Sequence, residues 1–379
     1  MKKRSVIIIC IVAAVIMCLG LLVTVAAMGR DENKSEGNFI EDMFDNIVDI
    51  IVPGPESTTE PDSDPELEPE PDTTIVAEIY VGDDTAPYMQ LTREDVIEKI
   101  NQAYNYDENG IDSNIFSTGS YASMEHGILW KSDVRVEILQ DIDIGNNGLR
   151  FETSTGNTLT VNGNGHTISG SYTETLVELC PNKINDATNG GSVTLHDIKI
   201  HCNGTNCVAP WGDGLNLNLN SCELVNDRTI IDGGGSGLWV GCAGVFNINA
   251  GTHITADVGI SVSTSKAADI VVSSGALVEG KRWAIQTSYG NGLDMHIGGT
   301  VKSLEEYGIA IGIYDSVADI NVSVVDGTII GTIVSDSVPT LNLVTGTLEG
   351  RIVGVGGGAG PTVNQKDEFI IVDPFEGEE

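Results

Sequence analysis

Phe246-Asn247-Ile248-Asn249-Ala250-Gly251-Thr252-His253-Ile254 is followed by Ile270-Val271-Val272-Ser273-Ser274-Gly275-Ala276-Leu277, and then by Met295-His296-Ile297-Gly298-Gly299-Thr300-Val301. Each stretch is an apolar alternation, a glycine, and a return to an aliphatic side chain. The phrase comes twice more, as Ile320/Val322 before Gly327-Thr328-Ile329 and Leu341/Leu343 before Gly346-Thr347-Leu348. The glycines are 19–28 residues apart. A strand, a tight turn and a strand at such a period form a unit that cannot bury its apolar face alone, so the units must stack as a solenoid.

A second phrase lies between the first: Gly237-Leu-Trp-Val240, Gly259-Ile-Ser-Val262, Ala284-Ile-Gln-Thr287 and Gly308-Ile-Ala-Ile311. Two phrases sharing one period predict at least two stacked strands per coil. Upstream, Val134–Ile138, Leu159–Val161, Val193–Leu195, Ile198–Ile200 and Leu215–Asn220 read as further strands, the last a clean alternation of Leu and Asn. Phe369–Val372 reads as the final strand or cap.

Thr92 to Tyr104 reads as a helix. Thr92 is the N-cap and Asp95 its partner three residues on, while Val96, Ile97, Ile100 and Tyr104 share one face. A solenoid needs its open end covered, and this helix is the expected N-terminal cap.

The preceding residues form separate units. Lys2, Lys3 and Arg4 stand before an uncharged run from Ser5 to Gly29, long enough at about 35 Å to cross a bilayer. The basic cluster places the C-terminal part outside. The run reads as a signal-anchor; the alternative is a secretory signal peptide cut near Val25-Ala26-Ala27, giving a secreted protein. Residues 39–51 carry an apolar stripe from Phe39 to Ile51 opposite Glu41, Asp42, Asp45 and Asp49, a short amphipathic helix suited to self-association or docking. Residues 52–74 are Pro, Glu, Asp, Ser and Thr almost throughout and read as a disordered, extended stalk. The expected organisation is therefore 1–30 anchor, 31–74 juxtamembrane helix and stalk, 75–110 N-terminal cap and 111–379 β-helix.

The capping segment 92–104, Val134-Arg-Val-Glu-Ile-Leu-Gln-Asp-Ile-Asp-Ile144 and Leu159-Thr-Val-Asn-Gly-Asn-Gly-His-Thr-Ile-Ser-Gly170 resemble the opening coils of the pectin-lyase-like superfamily of right-handed parallel β-helices. With the later coils the resemblance covers about residues 90–365. It implies an all-β fold with three short sheets per coil around stacked aliphatics. The superfamily includes lyases, hydrolases, adhesins and phage spikes, so it does not specify an activity.

Net charge is −36, which disfavours nucleic acid and anionic lipid as partners. No lyase or polygalacturonase motif accompanies the arginines, and no catalytic residue can be assigned. Stacking could bring Asp197, Glu223, Asp232 or Asp269 together as a carboxylate pair. The histidines have no metal spacing. No cofactor is expected, Asp141 and Asp143 being a weak Ca²⁺ pair. Cys180, Cys202, Cys222 and Cys242 recur at intervals of 22, 20 and 20 residues and are expected to stack on successive coils, as disulfides or as buried thiols; Cys207 could instead pair with Cys202. Trp211, Trp239, Trp283 and Gln286 are the candidate ligand-binding residues, a line able to stack on a polysaccharide. The reading is a membrane-tethered, outward-facing, noncatalytic adhesin or glycan- or surface-binding module. A tethered polysaccharide lyase or glycoside hydrolase, and a structural envelope protein, are the alternatives.

Overall fold

The structure, a computed structural model, describes residues 73–96, 133–153, 156–181, 191–210, 213–229, 234–264, 266–290, 292–306, 308–314, 319–355 and 360–374. The chain divides into the units Met1–Pro69 and Glu70–Glu379, and all described residues belong to the second. The expected anchor, amphipathic helix 39–51 and most of the stalk lie outside the described residues. Among the described residues, no helix is long and apolar enough to cross a membrane.

The fold is all-β, a parallel solenoid of the right-handed type. Face 1 is one ladder: Val134–Ile138, Thr158–Asn162, Ser192–His196, Leu215–Asn220, Gly244–Ile248, Ala268–Val272, Leu293–Ile297, Ile320–Val324, Thr340–Leu343 and Thr362–Gln365. The second sheet consists of two ladders. Face 2 runs from Ile142–Asp143 through Thr167–Gly170, Lys199–Cys202 and Glu223–Asn226 to Thr300–Ser303, Gly327–Ile330, Gly346–Glu349 and Phe369–Val372. Face 3 runs from Leu149–Thr153 through Thr175–Pro181, Asn206–Pro210 and Ser236–Val240 to Ile309–Ile313, Thr332–Ser335 and Ile352–Gly354. Two long strands, His253–Thr264 and Leu277–Gly290, turn the corner and serve both faces. A register shift between Ala256 and Val258 makes the bend.

The core is a set of aliphatic columns. On face 1, Leu217, Phe246, Ile270, Met295, Val322 and Leu341 stack in register and are fully buried. On face 2, Ile200, Leu224, Ile254, Val278, Val301, Ile329 and Leu348 do the same. Polar residues alternate outward, as the period of two requires.

The turn from face 1 to face 2 explains the glycine phrase and corrects its alignment. One position there is left-handed in most coils: Asp197, Ser221, Gly251, Gly275 and Asp326 all have positive φ. The next residue fills the inner corner, giving the column Ile198, Cys222, Thr252, Ala276, Gly299, Gly327 and Gly346. Gly251 and Gly275 therefore supply a left-handed backbone, whereas Gly299, Gly327 and Gly346 sit one position later. There a side chain has no room: a Cβ on Gly346 would stand 2.2 Å from the carbonyl oxygen of Gly327.

Two other alignments shift by two residues. Ala310-Ile-Gly-Ile313, not Gly308-Ile-Ala-Ile311, pairs with Ala284-Ile-Gln-Thr287, and Val322/Val324, not Ile320/Val322, stack on Met295/Ile297. A strand repeats every two residues, so apolar pattern alone tolerates that slip.

The N-terminal end is covered as expected in part. Thr92 and Asp95 cap reciprocally, with the Thr92 N–H donating to Asp95 Oδ2 at 2.9 Å and the Asp95 N–H to Thr92 Oγ1 at 3.2 Å. They open the helical turn 93–96, which buries Val96; residues 97–104 of the expected helix lie outside the described ones. The sequence reading missed two strands, Ile75–Val81 and Met89–Thr92. The first pairs antiparallel with Val134–Ile138 and covers the edge of face 1.

On the outside of face 2, His253 Nε2 lies 2.8 Å from Glu279 Oε2, and Lys302 Nζ lies 3.2 Å from Oε1. Burial pushes the Glu279 carboxyl up, but the hydrogen bonds from His253 and Lys302 outweigh it and hold the group below its usual value. Because the folded value lies below the unfolded one, about 4.3, this contribution is complete above that pH. It disappears as pH falls through the folded value. The urea midpoint is expected to be insensitive to this carboxyl above about pH 5.5 and to fall below about pH 4.3. Glu279→Gln should make that acid limb shallower in urea titrations at successive pH values.

Candidate functional site

Face 3 gathers the aromatic candidates. Trp239 points outward between the buried Leu238 and Val240, with its indole lying across Gly241, where a Cβ would stand 1.9 Å from the ring. The outward row continues in register through Ser261, Gln286 and Gly312. Gln286 thus takes the Trp239 position two coils on, about 10 Å along the axis at about 4.8 Å per rung. Trp283 lies on the same strand as Gln286. Its N–H donates to the Tyr314 hydroxyl at 3.1 Å, and the rings meet edge to face with centroids 6.0 Å apart. Trp211, the fourth candidate, lies outside the described residues.

Arg282 and Asp257 hold this corner. Asp257 is the single residue at the bend, opposite two on the next strand, Lys281 and Arg282, and is 0% exposed. Arg282 Nε donates to Asp257 Oδ2 at 2.6 Å, and Nη2 also contacts that oxygen. Asp257 Oδ1 is buried with no hydrogen-bond partner among the described residues. The Arg282 guanidinium lies 4.7 Å from the Trp283 ring centroid. Asp257, Arg282, Trp283 and Tyr314 form one connected set that fixes the indole. Sequence reasoning found the tryptophans but missed Arg282, Asp257 and Tyr314, because the contacts run between coils 25–31 residues apart.

A second feature is a hollow of about 310 Å³ where face 2 turns into face 3, lined in part by Asp143, Ser169, His201, Asn203 and Asp227. His201 Nε2 lies 2.6 Å from Asp227 Oδ2. A neighbouring hollow shares Ser171, Asn203 and Asp227 and adds Arg228. Asp143 is two rungs from His201 through Ser169. Its Oδ1 accepts the Gly145 N–H, while Asp141 Oδ1 accepts that of Thr167, so both carboxylates of the candidate Ca²⁺ pair anchor backbone turns. A larger hollow of about 530 Å³ near the C-terminal coils carries Lys302, Glu305, Glu306 and Glu349.

The carboxylates named as possible catalytic partners do not converge. Asp197 is in the turn from face 1 to face 2, Glu223 is on face 2 beside Lys199, and Asp269 is on face 1; Asp232 lies outside the described residues.

The cysteines do not form the expected column either. Coils here are longer than the cysteine intervals, since Thr194, Asn218 and Asn247 are successive register partners. Each cysteine therefore falls further back around the coil. Cys202 ends a strand of face 2, Cys222 sits in the corner column before the next, and Cys242 follows a strand of face 3. Cys180 lies within a face 3 strand.

Scans of protein-family models, curated proteins and solved structures find no match to this chain.

Proposed function

We propose that this protein is a noncatalytic recognition module, held outside the cell by its N-terminal apolar segment and binding a neutral glycan along face 3. In this it resembles the adhesin-like members of the pectin-lyase-like superfamily. The observation that carries the reading is the outward row Trp239, Ser261 and Gln286, with Trp283 fixed beside it. Indole rings give flat apolar area to the C–H face of a sugar, and amide and hydroxyl groups between them hydrogen-bond its hydroxyls. The net charge of −36 repels acidic polysaccharides and favours uncharged ones.

The test is binding of the full chain to immobilised neutral and acidic polysaccharides. Retention on a neutral polymer, weakened about tenfold or more by Trp239→Ala and also reduced by Gln286→Ala, is expected. No binding, or binding that both variants leave unchanged, rejects the site. The hydrolase reading has its own observation: Asp143 and Asp227 line one hollow beside His201. Release of reducing ends in the same incubations, abolished by Asp227→Asn, would favour it over the noncatalytic one.

A further inference from the structure

We propose that Cys202 and Cys207 form a disulfide that closes the face 2 to face 3 corner beside the His201–Asp227 hollow. The two Sγ atoms are 2.7 Å apart and both residues are buried. Unbonded carbon atoms rest at about 3.5–4.0 Å, and sulfur is larger than carbon, so two thiols do not pack this closely without reacting or moving apart. A disulfide spans about 2.05 Å, which a small side-chain rotation supplies.

Nothing in the local backbone lets the pair drift apart. The intervening turn is pinned at each residue after Gly204. Thr205 donates twice to the Thr173 carbonyl, from N–H at 3.1 Å and from Oγ1 at 3.0 Å. Asn206 Nδ2 donates to Thr175 Oγ1 at 3.0 Å, and Arg228 Nη1 to Thr205 Oγ1 at 2.8 Å. Cys207 Sγ also lies 3.1 Å from the Val225 carbonyl, as Cys222 Sγ lies 3.2 Å from that of Leu195 and Cys242 Sγ 3.5 Å from that of Pro210; what sets the pair apart is the second sulfur at 2.7 Å. Burial pushes the Cys207 thiol well above its usual value, and the Cys202 thiol adds to that. A reduced pair in this position is therefore poorly reactive, and the bond forms while the corner is still open.

The oxidant is a small or protein disulfide of the exchange type found in extracytoplasmic compartments. The two thiols lose two protons and two electrons and gain one S–S bond, while the oxidant's S–S bond breaks and becomes two thiols. The cross-link encloses Asn203, which lines both hollows at this corner, and orders their rim. The inference is independent of the glycan reading, since it concerns the chain's covalent state and not its ligand.

The test is alkylation without reductant on the denatured full-length chain, after secretion through an oxidising compartment. The tryptic peptide 200–228 contains Cys202, Cys207 and Cys222. One alkyl group on Cys222, with Cys202 and Cys207 unlabelled and two hydrogens missing, is expected. The wild type should melt several degrees lower in reductant. A Cys202→Ala/Cys207→Ala variant should melt at the lower value with or without reductant. Three alkyl groups on that peptide, both as secreted and after equilibration with oxidised glutathione, would overturn the proposal. So would a bond from either residue to Cys180, Cys222 or Cys242.

Discussion

Replacing Arg282 by alanine is expected to destabilise the solenoid by about 3–5 kcal/mol, the usual loss when one member of a buried ion pair is removed. Asp257 is 0% exposed, and Arg282 supplies the two contacts its Oδ2 makes. Without the guanidinium, a carboxylate stays in the corner of the stack with neither water nor a counter-charge. The cost is its desolvation, not the loss of the pair's net attraction. A paired Asp257→Ala/Arg282→Ala variant removes the stranded charge and should recover most of the loss. Arg282→Lys should fall between, because an ammonium cannot reproduce the two-pronged contact. Denaturant titration of the four proteins decides this: a single-variant loss below about 1 kcal/mol would mean that the site is not dry. Near-ultraviolet circular dichroism should change in Arg282→Ala as well, since the guanidinium over Trp283 is part of what orients that indole.

Phe246→Ala is the second large effect, about 3–5 kcal/mol from lost transfer energy and the cavity left behind. Phe246 is fully buried between Leu217 on one rung and Ile270 on the next. Neighbouring strands are held by continuous ladders, so the rungs cannot collapse into the space. The damage should be local, because each coil touches only its neighbours. Amide exchange should accelerate across Leu215–Asn220, Gly244–Ile248 and Ala268–Val272, while Thr158–Asn162 and Thr340–Leu343 keep wild-type protection. Uniform acceleration along the chain would show instead that the stack unfolds as one unit.

The architecture was legible because the apolar period of two runs along face 1 from Val134–Ile138 to Thr340–Leu343, as in Leu215–Asn220. The register was less so. The left-handed turn position is filled by glycine in two coils but by Asp197, Ser221 and Asp326 in others, and those residues carry no glycine to count. Aligning glycines therefore joined two different positions: the turn, where Gly251 and Gly275 give backbone freedom, and the corner after it, where a side chain has no room and Gly346 has a positive φ as well. The antiparallel cover at Ile75–Val81 was missed because it lies outside the repeat, although Val76, Ala77 and Ile79 are the buried residues of a strand paired on both sides. Of the candidate site, the slot shared by Trp239 and Gln286 could be read from the second phrase. The Asp257–Arg282 support could not, because it arises at a bend between coils.

The inner corner of the stack gives the molecule a direction. From Ile198, through Cys222 and Thr252 of intermediate size and then Ala276, to the glycines at 299, 327 and 346, the side chain at that position passes from large to none. A coil with an isoleucine at the corner would clash where Gly346 meets the Gly327 carbonyl, since even a Cβ there would stand 2.2 Å from that oxygen. The chain can therefore be shortened by excising a coil whose neighbours differ little at the corner. It cannot be lengthened at its C-terminal end by copying a coil from the other end. Growth of such a protein by duplication is confined to neighbours of matching corner size.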